Sequence, residues 1–180
     1  MVLSTPGTRP AELDEQGNKM PKCYQLVGVP GSGKSSWHCD QEWLQEAAYI
    51  STDRYVEEYA KNMGKTYSEV FQEVMPDCVK YMTGDVVHAR EANRDIVWDQ
   101  TSTTVKSRAR KFAMLPDYEH IAVIFATPEP AELVMRLNSR YDSGKIIPDQ
   151  VIQDMINNWQ EPTLEEGFTE IWRVQCQQYF

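Results

Sequence analysis

From Lys22 onward, short runs of β-branched and aromatic residues alternate with longer stretches in which apolar residues recur at helical spacing. The short runs predict strands at residues 24–29, 49–52, 96–98, 121–126 and 170–174. The longer stretches predict helices at residues 34–47, 105–115, 130–140 and 149–159. Residues 54–92 are long enough for two or three helices, interrupted near Gly64, Pro76 and Gly84. This alternation is typical of βαβ units, so we expect an α/β fold with a parallel sheet.

The first 21 residues do not follow this pattern. They contain Pro6, Gly7, Pro10 and Pro21 and almost no apolar periodicity, which predicts a flexible N-terminal leader at 1–21 and one folded domain at 22–180. No run approaches the roughly 18 uncharged apolar residues that a membrane span needs. The first twenty residues carry charges where a signal peptide is apolar, so we expect a cytoplasmic protein without a membrane partner.

The chain is acidic, with 18 basic and 27 acidic residues and a net charge of −9. This charge opposes nonspecific binding to a polyanion, because contacts to phosphates supply most of that affinity. The middle of the chain differs, since residues 95–145 hold seven acids and seven bases. A local basic site therefore remains possible there.

A glycine-rich loop follows the first predicted strand and precedes a helix. Residues 28–35 have the sequence GVPGSGKS, which matches the phosphate-binding pattern GxxxxGK[ST] in the context that this motif requires. Glycines permit a path whose amide hydrogens point at phosphate oxygens, Lys34 would contact the β and γ phosphates, and Ser35 would ligate Mg²⁺. The predicted ATP-binding residues are Gly28, Val29, Pro30, Gly31, Ser32, Gly33, Lys34, Ser35 and Ser36. The alternative is a glycine-rich turn without a ligand.

Two aspartates follow predicted strands, at the edge where open α/β sheets bind ligands. Asp53 follows the second strand, where a carboxylate can accept the proton of an attacking hydroxyl, and we predict it as the general base. The alternative for either aspartate is a helix N-cap, since helical sequence follows each, and Asp53 fits that role well. Asp99 ends the third strand and would hold Mg²⁺ or orient the acceptor, and both roles remain open. Beside it, Thr101 is a candidate for substrate binding.

Basic residues in the second half of the chain are candidates for contacts to the transferring phosphate. Arg136 and Arg140 lie four positions apart on one predicted helix face, before a polar segment, as expected of a lid that closes over a substrate. The alternative is a solvated helix end whose cations complement the helix dipole. Arg108 lies at the border of an apolar helix face and could reach the site, whereas its basic neighbours, including Lys111, are expected in solvent.

The order of these features resembles the kinase domain of phage and animal polynucleotide 5′-hydroxyl kinases, over about residues 24–171. The more particular matches are IVWDQT at 96–101, SRARKF at 107–112 and the segment 146–168. The resemblance implies a P-loop kinase-type three-layer α/β/α sandwich, with a parallel sheet of about five strands and a helical lid. It also implies Lys34 and Ser35 on ATP and Mg²⁺, Asp53 as base, and Arg140 or Arg136 as the lid arginine.

The expected function is ATP-dependent phosphoryl transfer to a nucleic-acid hydroxyl, in first place the 5′-hydroxyl of a polynucleotide. Phage members carry an arginine three residues after the catalytic aspartate, and here that position is Val56. An alternative is therefore a kinase for 5-hydroxymethyluracil in phage DNA, acting in the host cytoplasm. A small-molecule nucleoside or nucleotide kinase is favoured by the net charge, and a nucleotide-dependent binding switch is a further class. DNA or RNA is the expected partner, with no obligate protein partner.

Overall fold

The computed structural model describes residues 17, 19–140 and 144–174, so most of the predicted leader lies outside the described residues. The strands are β1 (Lys22–Val27), β2 (Ala48–Ile50), β3 (Ile96–Asp99), β4 (Glu119–Phe125) and β5 (Glu170–Val174). They form one sheet in the order β2-β3-β1-β4-β5, and each neighbouring pair is parallel. The predicted parallel sheet of about five strands is confirmed.

Helices flank this sheet. Those within the described residues are α1 (Lys34–Cys39), α2 (Thr52–Met63), α3 (Tyr67–Glu91), α4 (Val105–Met114), α5 (Pro130–Asn138) and α6 (Asp149–Asn157). The single helix predicted at 34–47 is wrong, because α1 ends at Cys39 and a short 3₁₀ turn follows at Glu42–Leu44. Gln41, between them, has a non-helical backbone.

The region 54–92 forms two helices, with a break at Gly64 and none at Pro76 or Gly84. Gly64 ends α2 at φ +63°, a left-handed conformation that glycine adopts without strain. The helix α3 then begins with a capping box between Thr66 and Glu69 and continues through Pro76. Its buried side chains recur at helical spacing, and this packing offsets the roughly 3 kcal/mol that an interior proline costs.

Two apolar clusters cover opposite faces of the sheet, which makes the three predicted layers. One packs Met82, Val86 and Ala89 of α3 against Ile96 and Trp98. The other packs Trp37 of α1 and Leu44 against the opposite face, with the following members from the strands: Tyr24, Leu26, Val97, Ile121, Val123, Phe125 and Trp172. Alternate residues of β3 therefore enter different clusters, as the period of a strand requires. The three-layer α/β/α fold is confirmed.

The carboxyl ends of β1, β2 and β3 meet at one edge of the sheet because the strands are parallel and adjacent. The glycine-rich loop follows β1, Asp53 follows β2, and Asp99 ends β3. The helices α5 and α6 pack on the loop through Leu133 and Ile152, which contact Val29. Three separate parts of the sequence are thus brought to the same edge, the usual ligand site of open α/β sheets.

Among the described residues, no helix is sufficiently long and apolar to span a membrane.

Candidate active site

A cavity of about 1070 Å³ lies at this edge of the sheet. Typical ligand pockets are about 300–1,000 Å³, so this one has room for a nucleotide and part of a second substrate. Most of the predicted site residues line it, namely Pro30, Gly31, Gly33, Lys34, Ser35, Asp53, Asp99, Thr101 and Arg140. Gly28, Val29 and Ser32 are buried parts of the loop beside it, and Ser36 is exposed on α1.

The glycines of the loop are required by its shape. Gly31 and Gly33 have φ of +84° and +94°, where other residues are strained. A Cβ at Gly31 would also lie 2.9 Å from Leu133 Cδ1, and one at Gly28 would lie 2.5 Å from Ser32 Oγ. That hydroxyl is buried without a hydrogen-bond partner among the described residues. Phosphate oxygens would provide the missing partner, so the loop fits a nucleotide phosphate.

Lys34 is buried inside the loop. Its Nζ donates to the carbonyl oxygens of Gly28 at 2.9 Å and Val29 at 3.0 Å. Burial lowers the pKa of Lys34 to about 8, because desolvation outweighs the attraction of Asp99. A buried ammonium whose contacts are carbonyl groups is stabilised by an arriving anion, as the predicted contact with ATP phosphates requires.

The two predicted Mg²⁺ ligands, Ser35 and Asp99, are hydrogen-bonded to each other. Asp99 Oδ2 accepts from Ser35 Oγ at 2.7 Å and from Tyr49 Oη at 2.5 Å. Burial, reinforced by Asp99, raises the pKa of Tyr49, so this phenol stays a donor. Within the described ranges, no three His, Cys, Asp or Glu side chains form a metal-binding cluster. One hydroxyl and one carboxylate still fit Mg²⁺, which usually keeps waters and takes further oxygens from substrate phosphates.

Asp53 is the second residue of α2, and the N-cap of that helix is Ser51. The alternative role of Asp53 as an N-cap is therefore wrong. Tyr67 Oη donates to Asp53 Oδ1 at 2.8 Å, and Lys145 Nζ lies 2.6 Å from Oδ2. Burial acts to raise the pKa of Asp53, but the ion pair with Lys145 and these hydrogen bonds outweigh it and hold the pKa below its usual value. Asp53 is thus a carboxylate at neutral pH.

Lys145 is a site residue that sequence reasoning missed. Besides Asp53, its Nζ contacts Glu57 Oε1 at 3.0 Å and lies 4.5 Å from the centroid of the Tyr67 ring. Its segment is held on the start of α3, where Ile146 N donates to Ser68 Oγ at 2.9 Å. The only signal in the sequence was the position of Lys145 in the predicted lid. Residues 141–143 of that lid lie outside the described residues.

The prediction that the two lid arginines share one helix face is wrong. The helix α5 ends at Asn138, so Arg140 follows it and lines the cavity. Arg136 stays on the helix, where Nη1 donates to the carbonyl of Gly31 at 3.2 Å and Nη2 lies 2.5 Å from Glu132 Oε1. Arg136 therefore contacts the backbone of the loop, while Arg140 lines the cavity.

The structure does not bring Arg108 to the cavity. Its side chain is fully buried and forms two hydrogen bonds of 2.8 Å with Glu166, and Nη1 donates to the carbonyl of Ser102 at 2.9 Å. The inner face of α4 carries Arg108 and Lys111, and Val105 is exposed. The expectation that Lys111 lies in solvent is wrong, because it is buried and lines the cavity.

Comparisons with known proteins agree with this fold. A family model described as an AAA domain (AAA_33) matches residues 25–162. A proposed kinase from Chloroflexus aurantiacus J-10-fl aligns over 88% of this chain and 87% of that chain, with TM-score 0.65 and 15% identity. A chain of the Pnkp1/Rnl/Hen1 RNA repair complex aligns over 77% of this chain and 44% of its own length, with TM-score 0.60 and 21% identity. A gluconokinase from Sinorhizobium meliloti 1021 aligns over 89% and 85%, with TM-score 0.52 and 15% identity.

At these identities the structural likenesses show a common fold, and the family match carries the assignment. The matched region contains the glycine-rich loop, both aspartates and both lid arginines. The glycine-rich loop is thus a P-loop, placed beside an ionised carboxylate at the edge of a parallel sheet. The chain belongs to the AAA domain family AAA_33 and is a phosphotransferase of the P-loop kinase type.

Proposed function

We propose that this kinase transfers the γ-phosphoryl group of ATP to a hydroxyl group of a nucleic acid, in first place the 5′-hydroxyl of a polynucleotide. The observation that carries the proposal is that Lys34 and Ser35 of the P-loop line the same cavity as the Asp53 carboxylate. A phosphate donor and a hydroxyl acceptor can meet there. Phosphoryl transfer needs mainly this positioning, together with groups that stabilise the spreading negative charge.

In this proposal the P-loop residues 28–36 hold the phosphates of ATP. Ser35 and Asp99, which are already hydrogen-bonded to each other, would hold Mg²⁺ together with water. Bound there, Mg²⁺ would neutralise charge on the phosphates. Lys34 neutralises charge on the transferring group, and Arg140 and Lys145 do so from the lid side of the cavity.

Asp53 orients the acceptor and takes its proton. The hydroxyl donates a hydrogen bond to the carboxylate, its oxygen bonds to the γ-phosphorus, and the bond to the oxygen that bridges to the β-phosphorus breaks. The proton passes to Asp53 and ADP leaves. The low pKa of Asp53 suits this role, since a loose transition state leaves most of the proton transfer to a late stage. Lys145 and Tyr67 hold the carboxylate in position.

The acceptor side of the cavity favours a nucleotide-sized substrate. Its wall on α3 includes Tyr67, Phe71 and Met75, an apolar and aromatic surface suited to a nucleobase. The motif resemblance to polynucleotide kinases and the likeness to a chain of an RNA repair complex support the same substrate class. Val56 is fully buried, so the acceptor contact of phage members is absent at this position, and this favours 5-hydroxymethyluracil in DNA as second candidate.

A small-molecule acceptor is the third candidate, because the chain carries a net charge of −9 and its fold is similar to that of a gluconokinase. The test supplies Mg-ATP labelled on the γ-phosphate with four acceptors: a 5′-hydroxyl oligonucleotide, DNA containing 5-hydroxymethyluracil with phosphorylated ends, free nucleosides, and gluconate. We expect label on the 5′-hydroxyl oligonucleotide. Label on free nucleosides or gluconate alone would refute a nucleic-acid acceptor.

Asp53→Asn tests the catalytic role. The variant should lose about 10²–10⁴-fold in transfer rate and keep its affinity for ATP, because the P-loop is untouched. Asp77→Asn is the matched control, since Asp77 is an exposed residue of α3 whose partner is Lys80. Equal activity of both variants would exclude Asp53 as the base. A wild-type protein that binds ATP without transferring phosphate to any acceptor would instead be a binding switch.

A further inference from the structure

Lys111 is a buried cation that the proposed reaction does not use. Its side chain enters the molecule from α4, and the residue is 2% exposed. Its Nζ donates to Ser102 Oγ at 2.9 Å and to the carbonyl of Ser107 at 3.4 Å, and it lies 5.4 Å from the centroid of the Trp98 ring. All of these contacts are neutral.

No carboxylate pairs with Lys111 in the part of the chain that the structure describes. The contrast with Arg108, one turn earlier, is clear, because Glu166 neutralises that guanidinium. Burial lowers the pKa of Lys111 to about 8, and the charges of Arg108 and Arg110 act in the same direction. An amine with this pKa is still mostly protonated at neutral pH. A buried ammonium of this kind is costly until an anion approaches it.

The position of Lys111 shows where such an anion would come from. Lys111, Ser102 and Ser107 line the same cavity as Asp53 and the P-loop. Ser102 has φ +51°, a left-handed conformation that is strained for serine, and Arg108 holds its carbonyl. Strain of this kind persists where the surroundings enforce it, often at binding sites. The Ser102 hydroxyl and the Lys111 ammonium are therefore held together by their hydrogen bond in the lining of the cavity.

The other lysines that line the cavity have different partners. Lys34 lies within the P-loop against its carbonyl groups, where the phosphates of ATP are expected. Lys145 is paired with Asp53 and Glu57. Among the described lysines of the cavity, Lys111 is thus the one available to bind an anion other than the triphosphate. Its partner Ser102 follows β3, and Asp53 follows the adjacent strand β2, so both segments start from the same edge of the sheet.

We propose that the Lys111 ammonium and the Ser102 hydroxyl bind a phosphate group of the acceptor, so that the acceptor is a nucleotide or polynucleotide and not a neutral alcohol. The inference rests on the proposed function, in that the acceptor hydroxyl meets Asp53 in this cavity. A hydrogen bond to a charged group changes affinity by about tenfold or more. The phosphate contact would select the substrate class.

The test compares two 5′-hydroxyl oligonucleotides of one sequence, one with natural phosphodiesters and one with neutral methylphosphonates at the first two linkages. We expect wild-type kcat/KM to be about tenfold or more lower with the neutral linkages. Lys111→Met should phosphorylate the natural oligonucleotide with the low kcat/KM that the wild type shows for the neutral one. The variant should no longer distinguish the two oligonucleotides. Lys106→Met, an exposed lysine on the same helix, should behave as wild type.

Two results would overturn the subsite. One is equal wild-type kcat/KM for both oligonucleotides, which needs no variant and holds even if Lys111→Met fails to fold. The other is an equal loss on both oligonucleotides in Lys111→Met, which would mean that Lys111 only supports the Ser102 loop.

Failure of the proposed reaction gives a different pattern, namely no transfer to either oligonucleotide. Binding of the two oligonucleotides, measured by fluorescence anisotropy with a nonhydrolysable ATP analogue, then decides the subsite by itself. Tighter binding of the natural oligonucleotide that Lys111→Met abolishes would keep the subsite, and equal binding would refute it.

Discussion

The two aspartates of the site differ in the partners that their carboxyl groups have. Asp53 is contacted by the ammonium of Lys145 and the phenol of Tyr67. The described hydrogen bonds of Asp99 come from the hydroxyls of Ser35 and Tyr49. A carboxylate bonded by neutral hydroxyls keeps its charge available to a cation, which suits the Mg²⁺ role of Asp99. A carboxylate paired with a cation is fixed in place, which suits a residue that orients an acceptor.

The pair of Asp53 and Lys145 makes a pH prediction. Without the ammonium, burial acts on Asp53 with less opposition, so its pKa should rise in Lys145→Met. Activity that needs the ionised carboxylate is lost as pH falls through that pKa. The acid limb of kcat/KM should therefore move to higher pH in the variant, measured from pH 4 to 8. Lys80→Met, which removes an exposed cation of α3, should leave the limb in place. An unmoved limb in Lys145→Met would show that Lys145 does not control the ionisation of Asp53.

Among the elements, the α2–α3 hairpin contains two glycines, and the backbone conformation of each determines how it affects stability. Gly64 ends α2 in a left-handed conformation, and Gly84 lies inside α3 with no heavy atom within 4 Å of an added Cβ. Both glycines have the same open space around them, so only the backbone differs. The hairpin carries Asp53 at one end and the aromatic wall of the cavity on α3, so its stability affects the site.

Gly84→Ala should raise the free energy of unfolding by about 0.5–1 kcal/mol, because alanine loses less backbone entropy in a helix. Gly64→Ala, the matched change, should lower it by about 1 kcal/mol, because an L-residue is strained at φ +63°. Urea denaturation measures both. Stabilisation by both substitutions would contradict the left-handed end of α2.

At the scale of the whole molecule, a buried ion pair joins distant parts of the chain. Arg108 of α4 and Glu166, just before β5, are 58 positions apart, and the Arg108 side chain is fully buried. Glu166→Gln keeps the shape and the capping box at Thr163 but leaves the guanidinium without a charge partner. The variant should lose about 3 kcal/mol of unfolding free energy.

Glu161→Gln is the control for this change. Glu161 pairs with the exposed Arg173, and this pair should contribute less than about 1 kcal/mol to the free energy of unfolding. Chemical denaturation of the two variants compares them directly. Similar stabilities would mean that the Arg108 guanidinium is not desolvated as the structure describes.

The sheet and the P-loop could be predicted from the sequence because both depend on residues that are close together along the chain. Apolar runs mark the strands, and the loop pattern lies within eight positions. The contacts that complete the site join residues far apart in sequence: Lys145 and Asp53 are 92 positions apart, and Tyr49 and Asp99 are 50 apart. Hydrophobic patterning also places basic residues outward, so the inward face of α4, with Arg108 and Lys111, could not be predicted.

The proposed mechanism requires that ATP on the P-loop and a nucleic-acid hydroxyl at Asp53 meet in one cavity. The most direct measurement is a crystal structure with Mg²⁺, a nonhydrolysable ATP analogue and a 5′-hydroxyl oligonucleotide. This mechanism predicts the 5′-oxygen within hydrogen-bond distance of the Asp53 carboxylate, roughly 2.6–3.2 Å, and in line with the γ-phosphorus. An oligonucleotide bound with its 5′-oxygen outside the cavity, or a γ-phosphate away from Lys34, would contradict it.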